Sequence, residues 1–384
     1  MLTRFITSSL TSSSRFHSFH FSPSIRSQLH QAFPLSLNMS ASISSLTGAL
    51  QPPPITNQES NIYKRHPQPY HSFNGSIWVP YTSTTPTPVS PSTFPSISPT
   101  SIRLLSWNID FMAPFGSIRM SAALTYLSNL VSSSPSSTPL VILLQEMTPR
   151  DLALIRDTEW IQKWFFVTDI NAESWHGSSY GTTTLVDRRL RIAEVFRVRW
   201  YSQMDRDGLF VDLLVTRDGT GEQGREVLRL CNTHLESLVA NPPIRPGQME
   251  IAGKYLHGEK VAAALLAGDL NAIQPFDRDL HTDNGLRDAY LDLGGKEDSD
   301  DGYTWGYQSR PGTRERFGCS RMDKILYRGH LKAQAFERIG VGERVAEEER
   351  AMIRLANRED WVTDHYGVRG DFELDGAVFV EYDG

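Results

Sequence analysis

The sequence predicts a mixed α/β domain, with helices and hairpins layered around a mixed β-sheet. Three observations carry this reading. Composition changes sharply near residue 101; beyond it, apolar runs of strand length recur; and between several of them lie longer segments with helical periodicity.

Residues 1–100 are rich in Ser, Thr and Pro and contain one acidic residue, Glu59. Such a segment buries too little apolar surface to offset its ordering entropy, so a disordered tail is expected. Within it, Ile77–Tyr81 (IWVPY) is expected to pack on the domain as a short extended piece. Residues 1–35 carry Arg4, Arg15 and Arg26, many serines and no acid. That is the composition of a mitochondrial presequence, with a weakly basic tail as the plainer alternative. The expected domain spans 101–384. Its strand-like runs are SIRLLSW, LVILLQE, GTTTLVD, GLFVDLLV, EVLRLCNTH, AAALLAGD, MDKILY and GAVFVEY. SIRMSAALTYLSNLV and RDLALIRDTEWIQKWF read as helices, and residues 208–234 as a hairpin.

The 384 residues include 38 basic and 44 acidic side chains, a net charge of −6, which excludes a generic polyanion binder. Eight Trp and 39% hydrophobic residues suffice for a sizeable core. Two cysteines, Cys231 and Cys319, exclude a disulfide framework and fit a reducing compartment. No apolar run approaches the roughly 18 residues of a membrane span, so no membrane association is expected. Two motifs are decoys. GTGEQG (Gly219–Gly224) precedes a strand-like run rather than the helix a dinucleotide fingerprint needs, and EDSDDG (Glu297–Gly302) lacks the spacing of a calcium loop.

The chemistry lies at the ends of the strand-like runs. They terminate in Asn108 and Asp110; Gln145 and Glu146; His234 and Glu236; Asp269 and Asn271. Asp323 stands near the start of another, and Asp364-His365 follow near the C-terminus. Turn chemistry explains any one of these, but not six together. Carboxylates and amides without paired His or Cys ligands suit Mg²⁺ or Mn²⁺ rather than Zn²⁺. The remaining Asp and His residues are what phosphodiester hydrolysis needs to orient a water and stabilise charge on phosphorus.

The ordered set WNID, LQE, THLES, GDLN, MDK and TDH resembles the endonuclease/exonuclease/phosphatase superfamily, with its deoxyribonuclease I-like fold. Together with SYGTTTLVD, SQMDRDGLF and GYTWG it looks most like the 5′-tyrosyl-DNA phosphodiesterase branch. The resemblance implies a four-layered sandwich of two packed mixed sheets flanked by helices. It implies that Glu146 is the principal metal ligand, with Asp110 and Asp364 beside the metal or its waters. Asn108 would hold a phosphate oxygen, and Asp269 would orient and deprotonate water with help from Asn271. His365 would stabilise the phosphoryl transition state, with Asp323 accepting its hydrogen bond. His234 would contact phosphate or assist the leaving group. Tyr180, Arg206 and Trp305 would line a groove for the DNA end.

One departure stands out. Where that branch reads Leu-Arg-Asp after the Asn, this chain reads Ala272-Ile273-Gln274, and Arg321 or Arg206 is the expected replacement for the missing arginine. The resemblance implies a monomeric Mg²⁺-dependent enzyme that frees DNA 5′ ends from covalent protein adducts, in the nucleus, the mitochondrion or both. The competing readings are an apurinic endonuclease, a deadenylase, or an inositol or sphingolipid phosphatase of the same fold. From another class comes a catalytically inactive interaction module.

Overall fold

The computed structural model describes residues 61–85, 94–177, 179–217 and 225–380. Two eight-stranded sheets lie face to face. In the first, the order is β1 (Arg65–Gln68), β8 (Ile192–Arg199), β9 (Asp207–Arg217), β10 (Arg225–His234), β11 (Val261–Asp269), β13 (Asp323–Gly329) and β12 (Arg287–Asp288), with β16 (Ala377–Phe379) beside β9. In the second it is β14 (Leu331–Ile339), β15 (Gly367–Leu374), β4 (Ser101–Asn108), β5 (Leu140–Met147), β7 (Gly181–Asp187), β6 (Phe165–Val167), β2 (Tyr70–Phe73) and β3 (Trp78–Tyr81).

The side-chain period of two builds the layers. Along β4, Ile102 and Leu104 point into the space between the sheets, where they meet Val211, Leu230 and Leu265 of the other sheet. Leu105 and Trp107 point outward, against Met120, Ala123 and Leu127 of helix α1 (Gly116–Ser133) and Leu152 of α2 (Pro149–Asp157). The opposite outer face buries Phe210, Cys231 and Leu266 under Met249, Ala252 and Leu256 of α3 (Arg245–Leu256). Each such aliphatic side chain contributes roughly 1.5–3 kcal/mol on burial. The result is the expected four-layered sandwich. Cys231 is a core residue, as its setting in a strand-like run indicates. Asn232 ties the sheets together: its amide donates to the carbonyls of Leu144 (3.2 Å) and Thr183 (3.0 Å) and accepts from Gln145 Nε2 (2.8 Å).

The sequence-based boundary at residue 101 is too late. β1 pairs with β8, and β2 pairs with β6 and β3, so residues 65–81 extend both sheets. Tyr70 is a core residue, and the buried Gln68 accepts from Arg197 Nε at 2.9 Å. These four-residue strands add backbone pairing and three buried side chains, Gln68, Tyr70 and Ser72, too little apolar pattern to stand out in a Ser/Pro-rich stretch. IWVPY does pack as an extended piece: Trp78–Tyr81 is an edge strand, where Pro80 is tolerated. The presequence reading and the GTGEQG loop lie outside the described residues, although β9 and β10 pair antiparallel as the hairpin reading requires. Among the described residues, no helix is long and apolar enough to cross a membrane.

Candidate active site

Register brings the polar strand ends to one edge. In adjacent strands His234 lies opposite Asp269, and Asp269 opposite Asp323. In the facing sheet Asn108 lies opposite Gln145, one residue before Glu146. Local backbone then aims the side chains. A bulge between Leu144 and Met147 interrupts the pairing of β5 with β7 and turns Glu146, at φ 56°, off the strand. Asp110 (φ 57°) and Asn271 (φ 47°) are also left-handed. Three non-glycine residues in that region at one edge mark a strained, functional corner. Gly268, at φ 150°, is obligatory: a Cβ there would lie 1.7 Å from the Thr233 carbonyl oxygen.

Asp269 is the focus. Its Oδ2 accepts from Asn108 Nδ2 at 3.0 Å and faces His234 Nε2 at 3.3 Å and His365 Nε2 at 3.7 Å; its Oδ1 accepts from the Asn271 backbone N–H at 2.8 Å. Burial alone would raise the Asp269 carboxyl, but His365 and His234 outweigh it and hold it well below the usual carboxylate range. His365 Nδ1 lies 2.8 Å from Asp323 Oδ2. Burial opposes charge on this imidazole, yet the Asp323, Asp269 and Asp364 carboxylates raise it well above its ordinary value. His365 is therefore the cationic partner expected of Asp323. On His234, Nδ1 lies 2.7 Å from Arg206 Nη1. Arginine can only donate, so Nδ1 accepts and Nε2 carries the proton towards Asp269.

Asp110, Glu146 and Asp364 form a second group. Burial, then the Asp364 and Glu146 carboxylates, push the Asp110 carboxyl up to about 8. A buried carboxyl raised by two neighbouring carboxylates is the electrostatic mark of a cation site, and an all-oxygen donor set fits a hard divalent ion. Asp269, Asp323 and His365 also bring three ligand atoms within 4.8 Å of one another. Yet the carboxylates around His365 favour its cationic form, and Nδ1 is already bonded to Asp323, so this trio suits a proton better than a metal. The carboxylate group is the better cation site.

The predicted DNA-end groove needs correction. Arg321 is buried against Asp288 (2.8 Å) and Glu297. Its charge is spent in an internal network that also includes Lys324, so it cannot replace the missing arginine for a substrate. Arg206 is buried behind His234, with Tyr180 beneath its guanidinium at 5.2 Å. The Tyr180 ring stacks on Phe111 at 4.2 Å, and its hydroxyl donates to the Met204 carbonyl at 2.5 Å. Tyr180 and Arg206 line a small cleft together with Glu146 and His234. Trp305 is half-buried, and its indole N–H donates to Asp364 Oδ2 at 3.0 Å. It holds a carboxylate of the cation site in addition to any wall it forms. Ala272, Ile273 and Gln274 line a separate groove of about 640 Å³.

Sequence reasoning missed the supports. Phe111 N–H donates to Glu146 Oε2 at 3.0 Å. Thr363 Oγ1 donates to the Asn108 carbonyl at 2.8 Å, and the Trp107 indole to the His365 carbonyl at 3.1 Å. These contacts, one from the backbone and two from side chains, are placed by the third dimension. Trp107 in WNID and Thr363 in TDH stand beside site residues in the sequence, but nothing there shows which groups they hold.

Residues 105–365 match the model of the Endonuclease/Exonuclease/phosphatase family. No curated protein matches the sequence. Among solved structures, the chain is similar in fold to truncated Caenorhabditis elegans TDP2, with 22% identity and a TM-score of 0.53 over 71% of this chain and 98% of that one. Humanized D. rerio TDP2 gives 20% identity and a TM-score of 0.52 over the same shares. D. rerio TDP2 complexed with single strand DNA product gives 18% and 0.52, again over 71% and 98%.

Proposed function

Because the chain belongs to the Endonuclease/Exonuclease/phosphatase family, we propose that it is a Mg²⁺-dependent phosphodiesterase that hydrolyses the 5′-phosphotyrosyl bond between a peptide adduct and DNA. The observation that carries the reading is Asp269 Oδ2, a buried carboxylate oxygen facing one amide and two imidazoles. The resemblance in fold to TDP2, one structure of which holds a single-stranded DNA product, supports the choice of substrate.

The residues divide the work as follows. A phosphodiester at this edge takes hydrogen bonds from Asn108, from His234 Nε2–H and from cationic His365. As the imidazoles turn from Asp269 to the phosphate, Asp269 loses the contacts that depress its basicity. It then orients the attacking water and accepts its proton. Asn271 keeps Asp269 in place through its backbone N–H, while its side-chain amide donates to the Leu235 carbonyl at 3.0 Å. Charge building on phosphorus meets the His365 imidazolium, held by Asp323. A divalent ion held by Glu146, Asp110 and Asp364 would add Lewis-acid polarisation of the phosphoryl group and the leaving oxygen. The segment after Trp305 presents Arg310, in a loop, and Arg314, in the short helix Thr313–Phe317, to solvent, in reach of a strand's phosphates. The enzyme acts as a monomer on DNA ends, in the nucleus, the mitochondrion or both.

The Ala272-Ile273-Gln274 departure favours a second reading, a phosphodiesterase of the same fold with another leaving group. One assay separates them: equal amounts of protein with Mg²⁺ on 5′-tyrosyl DNA, abasic duplex, poly(A) RNA and a sphingomyelin analogue. The expected order places tyrosyl DNA first by at least tenfold in kcat/KM. Faster turnover of any other arm overturns the substrate assignment, and no turnover on any arm favours an inactive interaction module.

A further inference from the structure

Glu236 stands two residues beyond His234, is 2% exposed, and forms no ion pair among the described residues. A buried carboxylate without a cationic partner is costly, so its hydrogen bonds need a purpose. Oε2 accepts from Ser202 Oγ at 2.6 Å and from Gln248 Nε2 at 3.3 Å, and Oε1 accepts from the Gln203 N–H at 3.0 Å. With its proton committed to Glu236, Ser202 Oγ accepts from the backbone N–H groups of Met204 (2.9 Å) and Arg206 (3.1 Å). That turn delivers the Arg206 guanidinium to His234 Nδ1. We propose that Glu236 is a positioning residue for His234: through Ser202 and Arg206 it fixes the imidazole tautomer that keeps a proton on Nε2, facing the reacting phosphate.

Only a tautomer with Nδ1 unprotonated can accept from arginine, and only that tautomer offers Nε2–H to Asp269 or to a substrate oxygen. If Glu236 is removed, the Ser202 hydroxyl is released, the turn loosens, and Nδ1 loses its fixed donor. The imidazole can then exchange tautomers and shift its ring plane, and molecules with the proton on Nδ1 present none to phosphate. The kinetic consequence rests on the phosphodiesterase reading above; the tautomer does not.

The test is ring ¹⁵N NMR of the full chain, with His234→Gln identifying the signal, alongside turnover of bis-p-nitrophenyl phosphate with Mg²⁺. Glu236→Ala is expected to move the His234 ring nitrogens from the Nε2–H pattern towards the averaged one. It should lower kcat by about 10- to 100-fold with KM within about threefold. Glu236→Gln keeps one acceptor oxygen and should recover part of both. If Glu236→Ala does not fold, Ser202→Ala cuts the same path on the loop side and should give the same pair of changes. A folded variant with the wild-type ring pattern overturns the proposal. A shifted ring pattern in a protein whose wild type turns over no phosphodiester leaves it standing and sinks the functional reading instead.

Discussion

At the scale of the residue, the decisive feature is where opposite demands meet. Asp269 is fully enclosed yet ionised, because two imidazoles and an amide surround it. Asp269→Asn keeps the shape and loses the acceptor charge. Its kcat should fall by roughly 10²–10⁴-fold with an unchanged near-UV spectrum, as for loss of a positioned base; near-normal turnover would remove Asp269 from the mechanism. Asp110 makes the converse case. Its carboxyl is raised from 3.8 to about 8. The folded protein therefore holds a proton there that the unfolded chain lacks, and the stability this confers is lost as pH rises through about 8. A divalent ion supplies the missing positive charge and displaces that proton. The rise in Tm on adding Mg²⁺ should thus be larger at pH 8 than at pH 6, and equal rises would dissociate Asp110 from the cation site. Trp305 gives a third test. Trp305→Phe keeps the ring and deletes the indole N–H that holds Asp364. The Mg²⁺ concentration at half-maximal rate should rise about 10-fold or more, equally for oligonucleotide and nitrophenyl substrates. A loss confined to the oligonucleotide would restore Trp305 to the role of a stacking wall.

At the scale of the element, the fold begins earlier than its apolar pattern does. A chain starting at residue 101 lacks β1, β2 and β3. It opens the edge of β8, removes Tyr70 from the core and leaves Arg197 without Gln68. Against a chain starting at residue 61, it should lose at least roughly 1.5–3 kcal/mol in urea unfolding, from the burial of Tyr70 alone. Equal midpoints would return the boundary to residue 101. The same contrast explains what could be read from the sequence. Strands such as LVILLQE and AAALLAGD announce themselves by length and apolar content, and their polar ends name the chemistry. RHPQ and YHSF carry no such pattern, because neighbouring strands rather than their own side chains hold them. Arg321 was misread for a related reason. Its partners Asp288 and Glu297 lie 33 and 24 residues away, and the EDSDDG run that begins with Glu297 gives no sign of the pairing, so only the folded chain shows that its charge is taken.

At the scale of the whole molecule, charge sets the terms of binding. A net charge of −6 makes long-range attraction to a polyanion weak, so affinity must come from a few local cations. The loop and short helix after Trp305 concentrate them: Arg310 and Arg314 are exposed, and the Arg314 guanidinium lies 4.6 Å over the Tyr307 ring. Tyr307 in turn stacks near-parallel on Tyr366, the neighbour of His365, with 5.9 Å between ring centroids. This gives the loop a rigid base beside the reacting edge. For single strands each neutralised phosphate contributes about −0.7 to the slope of log affinity against log salt. If both arginines grip phosphates, the double variant Arg310→Gln, Arg314→Gln should flatten the salt slope of kcat/KM on a 5′-tagged oligonucleotide by about 1.4. Hydrolysis of bis-p-nitrophenyl phosphate, which carries no strand, should keep its rate and its salt response. An unchanged slope on the oligonucleotide would mean that the strand leaves the site by another path. The separate groove of Ala272, Ile273 and Gln274, which Arg278 also lines, is then the one to test.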